Sequence, residues 1–147
     1  MKKIIALALA VILVLGLAAC GNKEAGGIAE AKKEDSKIKA TFVGVMQGGA
    51  CWGAAQKGFE DACKELGWDG QYVAPSTPND TIVMVDLMST AVTNGCNVLI
   101  GTFYDTDVFG DVAKQAFENG VYVASTNCNL VKEYQNFWIG TDPIGMG

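Results

Sequence analysis

The chain contains no histidine and no arginine. The commonest general base, the commonest zinc ligand and the planar two-pronged clamp for anions are therefore absent. What remains suits reading a solute by hydrogen bonds and ring contact. Trp52 offers a flat face that stacks on the apolar side of a sugar-like ring. Gln47 and the amides of Gly49 to Cys51 precede it and suit hydrogen bonding to a polar ligand. Asp105 and Asp107 stand two apart, one suited to binding hydroxyls and the other to capping a helix, with Asp105 favoured for the ligand. Asn127 both donates and accepts. Cys51 reads as a pocket-wall thiol beside a helix start. There is no nucleophile elbow, no C-x-x-C pair and no metal constellation, so no metal or cofactor is expected. Gly48-Gly49 with Gly53 does not make G-x-G-x-x-G, which argues against a dinucleotide. The Asp105/Asp107 pair keeps an exported enzyme as a remote alternative.

The elements that must position these residues alternate. Thr41 to Met46 is a short β-rich run, and Gln47-Gly48-Gly49 breaks it. Trp52 to Leu66 is a helix with Ala55, Phe59, Ala62, Cys63 and Leu66 on one stripe, stopped by Gly67. Gln71 to Ala74 is a second strand. Asn79 or Asp80 caps a helix reaching about Asn94, with Ile82, Val85, Met88 and Val92 inward; Asp80 reads as a cap rather than a contact. Asn97 to Gly101 is nearly all apolar, as a strand buried on both faces is. Asp107 to Asn119 is a third helix, with Val108, Val112, Ala116 and Phe117 inward. Val121 to Ser125 and Phe137 to Gly140 complete the strands. Repeated βαβ units imply an α/β fold, a doubly wound parallel sheet with helices on both faces. Ligands then sit beyond the carboxyl ends of the strands. That selects Gln47–Trp52, Pro75–Asp80, Thr102–Asp107 and Thr126–Asn129. Phe103 and Tyr104 line the rim or cover the sheet.

The first residues have another purpose. Lys2 and Lys3 precede an apolar run from Ile4 to Leu17, too short to span a membrane comfortably and suited to a signal peptide. Leu17-Ala18-Ala19-Cys20 resembles the lipobox of bacterial lipoproteins. Residues 1–20 are thus expected to be a signal peptide, with Cys20 the lipidation point. Residues 21–38 are polar and read as a flexible linker, and 39–147 as the folded part. Without Lys2 and Lys3, nine lysines face 16 acidic residues, a net charge of about −7. An acidic chain without guanidinium groups argues against nucleic acid. Of five cysteines, Cys51, Cys63, Cys96 and Cys128 remain after Cys20. They read as small buried thiols rather than as two disulfides.

Further stretches carry a family likeness: Gly58-Phe59-Glu60-Asp61-Ala62, the helix opening at Asp80, Asn94 through Ile100, Ala116 through Val123, and Ile139-Gly140-Thr141-Asp142 with Gly145. In this order the chain resembles the N-terminal lobe of type I solute-binding proteins, in the ribose-, galactose- and xylose-type cluster of ABC importers. The resemblance covers about 39–147 and implies a lipid-anchored, exported protein facing the outside or the periplasm. Such a protein captures a small polar solute, a sugar above all, and delivers it to membrane permease subunits. The alternative is a sensing lipoprotein that serves a membrane receptor or kinase. By the resemblance, Trp52 matches an aromatic lining the site, and Asn127 stands where the family places a sugar-clamping acid. Asn127-Cys128 replaces the frequent Asp-Arg. Asp142 is expected to cap a helix beyond the first crossover, and the second lobe is expected to be missing, as in a fragment or truncated product.

Overall fold

The computed structural model describes residues 37–141. The expectations on 1–20, on nearly all of 21–38, and on Asp142 and Gly145 lie outside these residues. The described elements are β1 (Lys39–Val43), α1 (Ala50–Leu66), β2 (Asp69–Val73), α2 (Thr81–Thr93), β3 (Val98–Gly101), α3 (Thr106–Glu118), β4 (Tyr122–Thr126) and β5 (Phe137–Ile139). A 3-10 turn at Lys132–Tyr134 precedes β5. No helix among them is long and apolar enough to cross a membrane.

The strands form one sheet in the order β2-β1-β3-β4-β5, and every pairing is parallel. Alternating side chains divide between its faces. On one face Phe42 meets Tyr72 at 5.2 Å, Phe59 of α1 at 5.7 Å and Trp52 of α1 at 6.4 Å, all edge-on. On the other, Val43, Leu99 and Val123 pack with Met84 and Met88 of α2 and with Phe109, Val112 and Ala116 of α3. The fold read from the sequence is therefore present.

All three helices stop in the same way. Trp68 N donates to Cys63 O and Gly67 N to Lys64 O; Cys96 N to Ala91 O and Gly95 N to Val92 O; Val121 N to Ala116 O and Gly120 N to Phe117 O. This paired bond pattern needs a left-handed residue, and glycine supplies it at φ 69°, 74° and 76°. Each stop leads directly into a strand.

The inward faces differ from the sequence reading. On α1 only Cys63 is fully buried; Ala62 and Leu66 are exposed. α1 lies over the β1–β2 border of the sheet, so its contact stripe is narrow. On α2 the buried residues are Met84, Met88 and Ala91, while Ile82 is 75% exposed in the first turn, beyond the sheet. On α3 Phe109 is buried and Val108 and Phe117 are exposed. Val112 and Ala116 are buried as expected, but the face centres on Phe109 and Ala113 instead of Val108 and Phe117, because neighbouring apolar residues leave the period ambiguous. Cys63 and Cys96 are buried as expected, with desolvation pushing both thiols up. Cys51 is exposed and Cys128 half-buried, because both lie on loops or helix starts at the sheet's rim.

Among the described residues, the α1 face of the sheet is covered only over β1 and β2. Across β3 to β5 it presents Val98 and Ile100 half-buried and Tyr122, Phe137 and Ile139 exposed, the last at 63%. Parallel sheets normally have both faces covered.

The α3 face is testable by urea unfolding. Phe109→Ala should cost about 3–5 kcal/mol, and Val108→Ala under about 1 kcal/mol. The opposite ranking would restore the face read from the sequence.

Candidate functional site

Parallel register aligns the strand ends. Val73, Val43, Gly101, Ser125 and Trp138 stand side by side across the sheet. The loops that follow the first four strands therefore leave from one edge. The chain turns to opposite sides after β1 and β3, which makes the crevice between them the switch point where ligands bind in such sheets.

The loop after β1 carries Gln47, Gly48 and Gly49, the glycines left-handed at φ 67° and 76°. Gln47 is exposed, and its Nε2 donates to Ala74 O at 3.1 Å. α1 begins here without a side-chain cap. Its first amides are thus without the partner that Asp80 gives α2, through Val83 N at 3.2 Å. Trp52 is half-buried, its ring edge-on to Phe42, so it shares the wall between loop and core.

Across the crevice, Asp105 is the cap of α3. Its Oδ1 accepts from Asp107 N at 2.9 Å and Val108 N at 3.3 Å. Of the two aspartates this one takes the cap, which leaves Oδ2 as its oxygen outside that role. Tyr104 packs on Phe109 at 5.1 Å and reaches Asn79 O at 3.5 Å. Burial, then the Asp105 and Asp80 carboxylates, push its phenol up, so it stays a donor at neutral pH. Phe103 is fully buried in the core and does not line the rim. Asn127 is exposed and left-handed at φ 62°; its N–H donates to Ile139 O at 2.9 Å, and Cys128 N closes a tight turn onto Thr126 O. A non-glycine residue held in this region marks a place where surrounding bonds override local preference.

All four expected residues thus lie at one edge of the sheet, with Gln47 and Trp52 on one side of the crevice and Asp105 and Asn127 on the other. Strand spacing puts the β1 and β4 tips about 10 Å apart. Among the site candidates the sequence reading did not single out Thr102 and Thr126, whose hydroxyls meet at 2.9 Å across the neighbouring β3 and β4 ends, with Thr102 buried. The signal was a threonine following the same register pair, Gly101 and Ser125. A separate groove of about 330 Å3, lined by Lys39, Asp69, Gln71, Thr90 and Asn94, opens beside the last turns of α2. It lies towards the strands' amino ends, away from the crevice.

Residues 40–147 match the family described as Periplasmic binding protein domain. The chain belongs to that family. No curated protein matches it. Among solved structures, this binding-protein domain superposes on GanP, a glucose-galactose binding protein from Geobacillus stearothermophilus, with TM-score 0.69 and 20% identity, over 73% of this chain and 38% of that one. LsrB from Clostridium saccharobutylicum in complex with AI-2 gives 0.65 and 20%, over 71% and 32%. An ABC transporter solute binding protein from Clostridium phytofermentans with bound β-D-glucose gives 0.63 and 20%, also over 71% and 32%. The binding-protein domain therefore spans about a third of the length of these relatives. GanP and the Clostridium phytofermentans protein are described as binding proteins.

The cap on α3 of this periplasmic binding protein domain can be weighed directly. Asp105→Ala should lower unfolding stability by about 0.5–2 kcal/mol, whereas Asp105→Asn should cost only a few tenths, since asparagine caps nearly as well. Equal losses in thermal unfolding would show that the carboxylate charge, not the cap bond, is what matters.

Proposed function

We propose that this chain forms one wall of the solute site in a lipid-anchored binding protein of an ABC-type importer, with a sugar as the solute. The observation behind this reading is the row of polar and aromatic groups at the carboxyl edge of an all-parallel sheet, in a member of the periplasmic binding protein family. Relatives of the same fold are described with glucose, galactose and D-allose. Trp52 supplies ring contact, Gln47 and the uncapped α1 amides read hydroxyls beside it, and Asp105 Oδ2 and Asn127 read them from across the crevice. The protein acts by binding, without turnover and without a cofactor or metal. Residues 1–20 direct export, Cys20 carries the lipid, residues 21–38 are the tether, and membrane permease subunits receive the solute. Two or more acyl chains on Cys20 hold the protein firmly, where one would hold it marginally.

The sugar reading is tested by thermal shift and calorimetry with D-glucose, D-galactose, D-ribose and D-allose. The isolated 39–147 segment should bind only weakly, since it presents one wall. A micromolar titration by that segment would overturn the two-walled site. In a complete protein that binds, Asn127→Gly should weaken affinity roughly tenfold, as loss of a polar contact does, while leaving stability level or slightly raised, because glycine takes positive φ without strain. Asn127→Ala should weaken binding equally and cost about 1–2 kcal/mol of stability besides. For the anchor, Cys20→Ala should move the protein from the membrane to the soluble fraction and abolish palmitate labelling.

A further inference from the structure

The loop after β1 is tied almost wholly to β2 and the loop that follows it. Gly44 N donates to Val73 O at 2.9 Å, and Asn79 N to Val45 O at 2.8 Å. The third bond comes from the side chain one residue before the end of β2: the Tyr72 hydroxyl donates to Met46 O at 2.9 Å. Tyr72 projects from the α1 face, in register with Phe42, and its ring lies edge-on to Phe42. To reach Met46 the ring passes over Gly44. A Cβ built on Gly44 would overlap the Tyr72 hydroxyl and ring. The glycine and the tyrosine are therefore one device, the absence of a side chain just past the end of β1 admitting a side chain from β2. The next residue, Gln47, is then drawn onto Ala74 O, one residue beyond the end of β2. The two left-handed glycines and the uncapped start of α1 follow.

We propose that Tyr72 is a positioning residue for the solute site: through Met46 O it presets the Val45–Gly49 loop, and with it Gln47, the first amides of α1 and Trp52. This rests on the binding reading above for its consequence, but the preset loop itself does not. Those groups must face the crevice before solute arrives, and a loop with two consecutive left-handed glycines is costly to order unless something outside it holds it. Burial raises the Tyr72 phenol above its ordinary value, so the hydroxyl stays a donor at neutral pH.

The test is Tyr72→Phe in the full chain, which removes one oxygen and keeps the ring on Phe42. Hydrogen exchange followed by mass spectrometry should show peptides spanning 44–53 exchanging roughly three- to tenfold faster, the scale of one lost hydrogen bond. Peptides spanning 101–107 and 125–129 should be unchanged. Tyr122→Phe, on an exposed tyrosine of the same face, serves as the control and should alter neither. Unchanged exchange in 44–53, or equal acceleration everywhere, would overturn the proposal, since the second pattern means general destabilisation. Gly44→Ala should reproduce the local acceleration by displacing the ring, and its failure to do so would also count against the device. Titration of a complete two-walled protein carrying this lobe with D-glucose, D-galactose, D-ribose and D-allose separates the two readings. If wild type binds and Tyr72→Phe binds several-fold more weakly, both stand. If wild type binds and the variant binds equally well, the positioning role falls and the sugar reading survives. If wild type binds no sugar, the sugar reading falls and the exchange result alone decides the loop.

Discussion

Parallel pairing on both sides of β1 is the constraint from which the rest follows. A parallel neighbour cannot be reached by a tight turn, so each strand must be followed by a crossover that returns the chain to the starting edge. Here that crossover is a helix for the first three steps. Each helix must bury an apolar face on the sheet, so the sheet becomes a layer between helices. Because every strand runs the same way, every loop that leaves a strand leaves at the same edge. The site residues converge there although they come from segments as far apart as Gln47 and Asn127.

Within that edge the loops fall into two groups. Those after β1 and β2 are tied by Gly44, Asn79, Gln47 and Tyr72; those after β3 and β4 by the Thr102–Thr126 hydroxyl pair and by Asn127 N on Ile139 O. Tyr104 reaches from one group to the other, at 3.5 Å from Asn79 O. Two asparagines do similar work at the sheet's other edge and its last strand. Asn97 Oδ1 accepts from Lys39 N at 2.8 Å, and Asn136 Oδ1 from Val123 N at 2.7 Å. Side-chain amides thus complete the ladder where strands begin or pair late.

The order of elements and the four loops were legible in the sequence because local chemistry announces them. Glycines close the helices, aspartates open α2 and α3, and the strands are short apolar runs. Which helix face turns inward was less legible. Val108 and Phe109 are adjacent and both apolar, and one residue turns a helix by about 100°. Leu66 of α1 obeys the period yet meets no sheet, since how far a helix overlaps a sheet is set by the packing and not by its own sequence. The pairings of Tyr72 with Gly44 and of Thr102 with Thr126 could not be read from periodicity at all. They depend on register between strands, which becomes visible only when β1, β2, β3 and β4 are laid side by side. Asp105 shows the same limit, because two aspartates two residues apart are equivalent until the helix start is placed.

The first of the described strands lies inside the sheet. β1 has β2 on one side and β3 on the other, and Ala40 is opposite both Gly70 and Val98. On a ribosome working from the amino end, its second neighbour emerges only when residues near 100 have left the exit tunnel. Until then β1 keeps one open row of amides and carbonyls, and the helix stops, which need only nearby residues, form ahead of the sheet they serve. Completion of the β1 pairing therefore waits on β3, a delay that long-range pairing imposes on a fold whose punctuation is local.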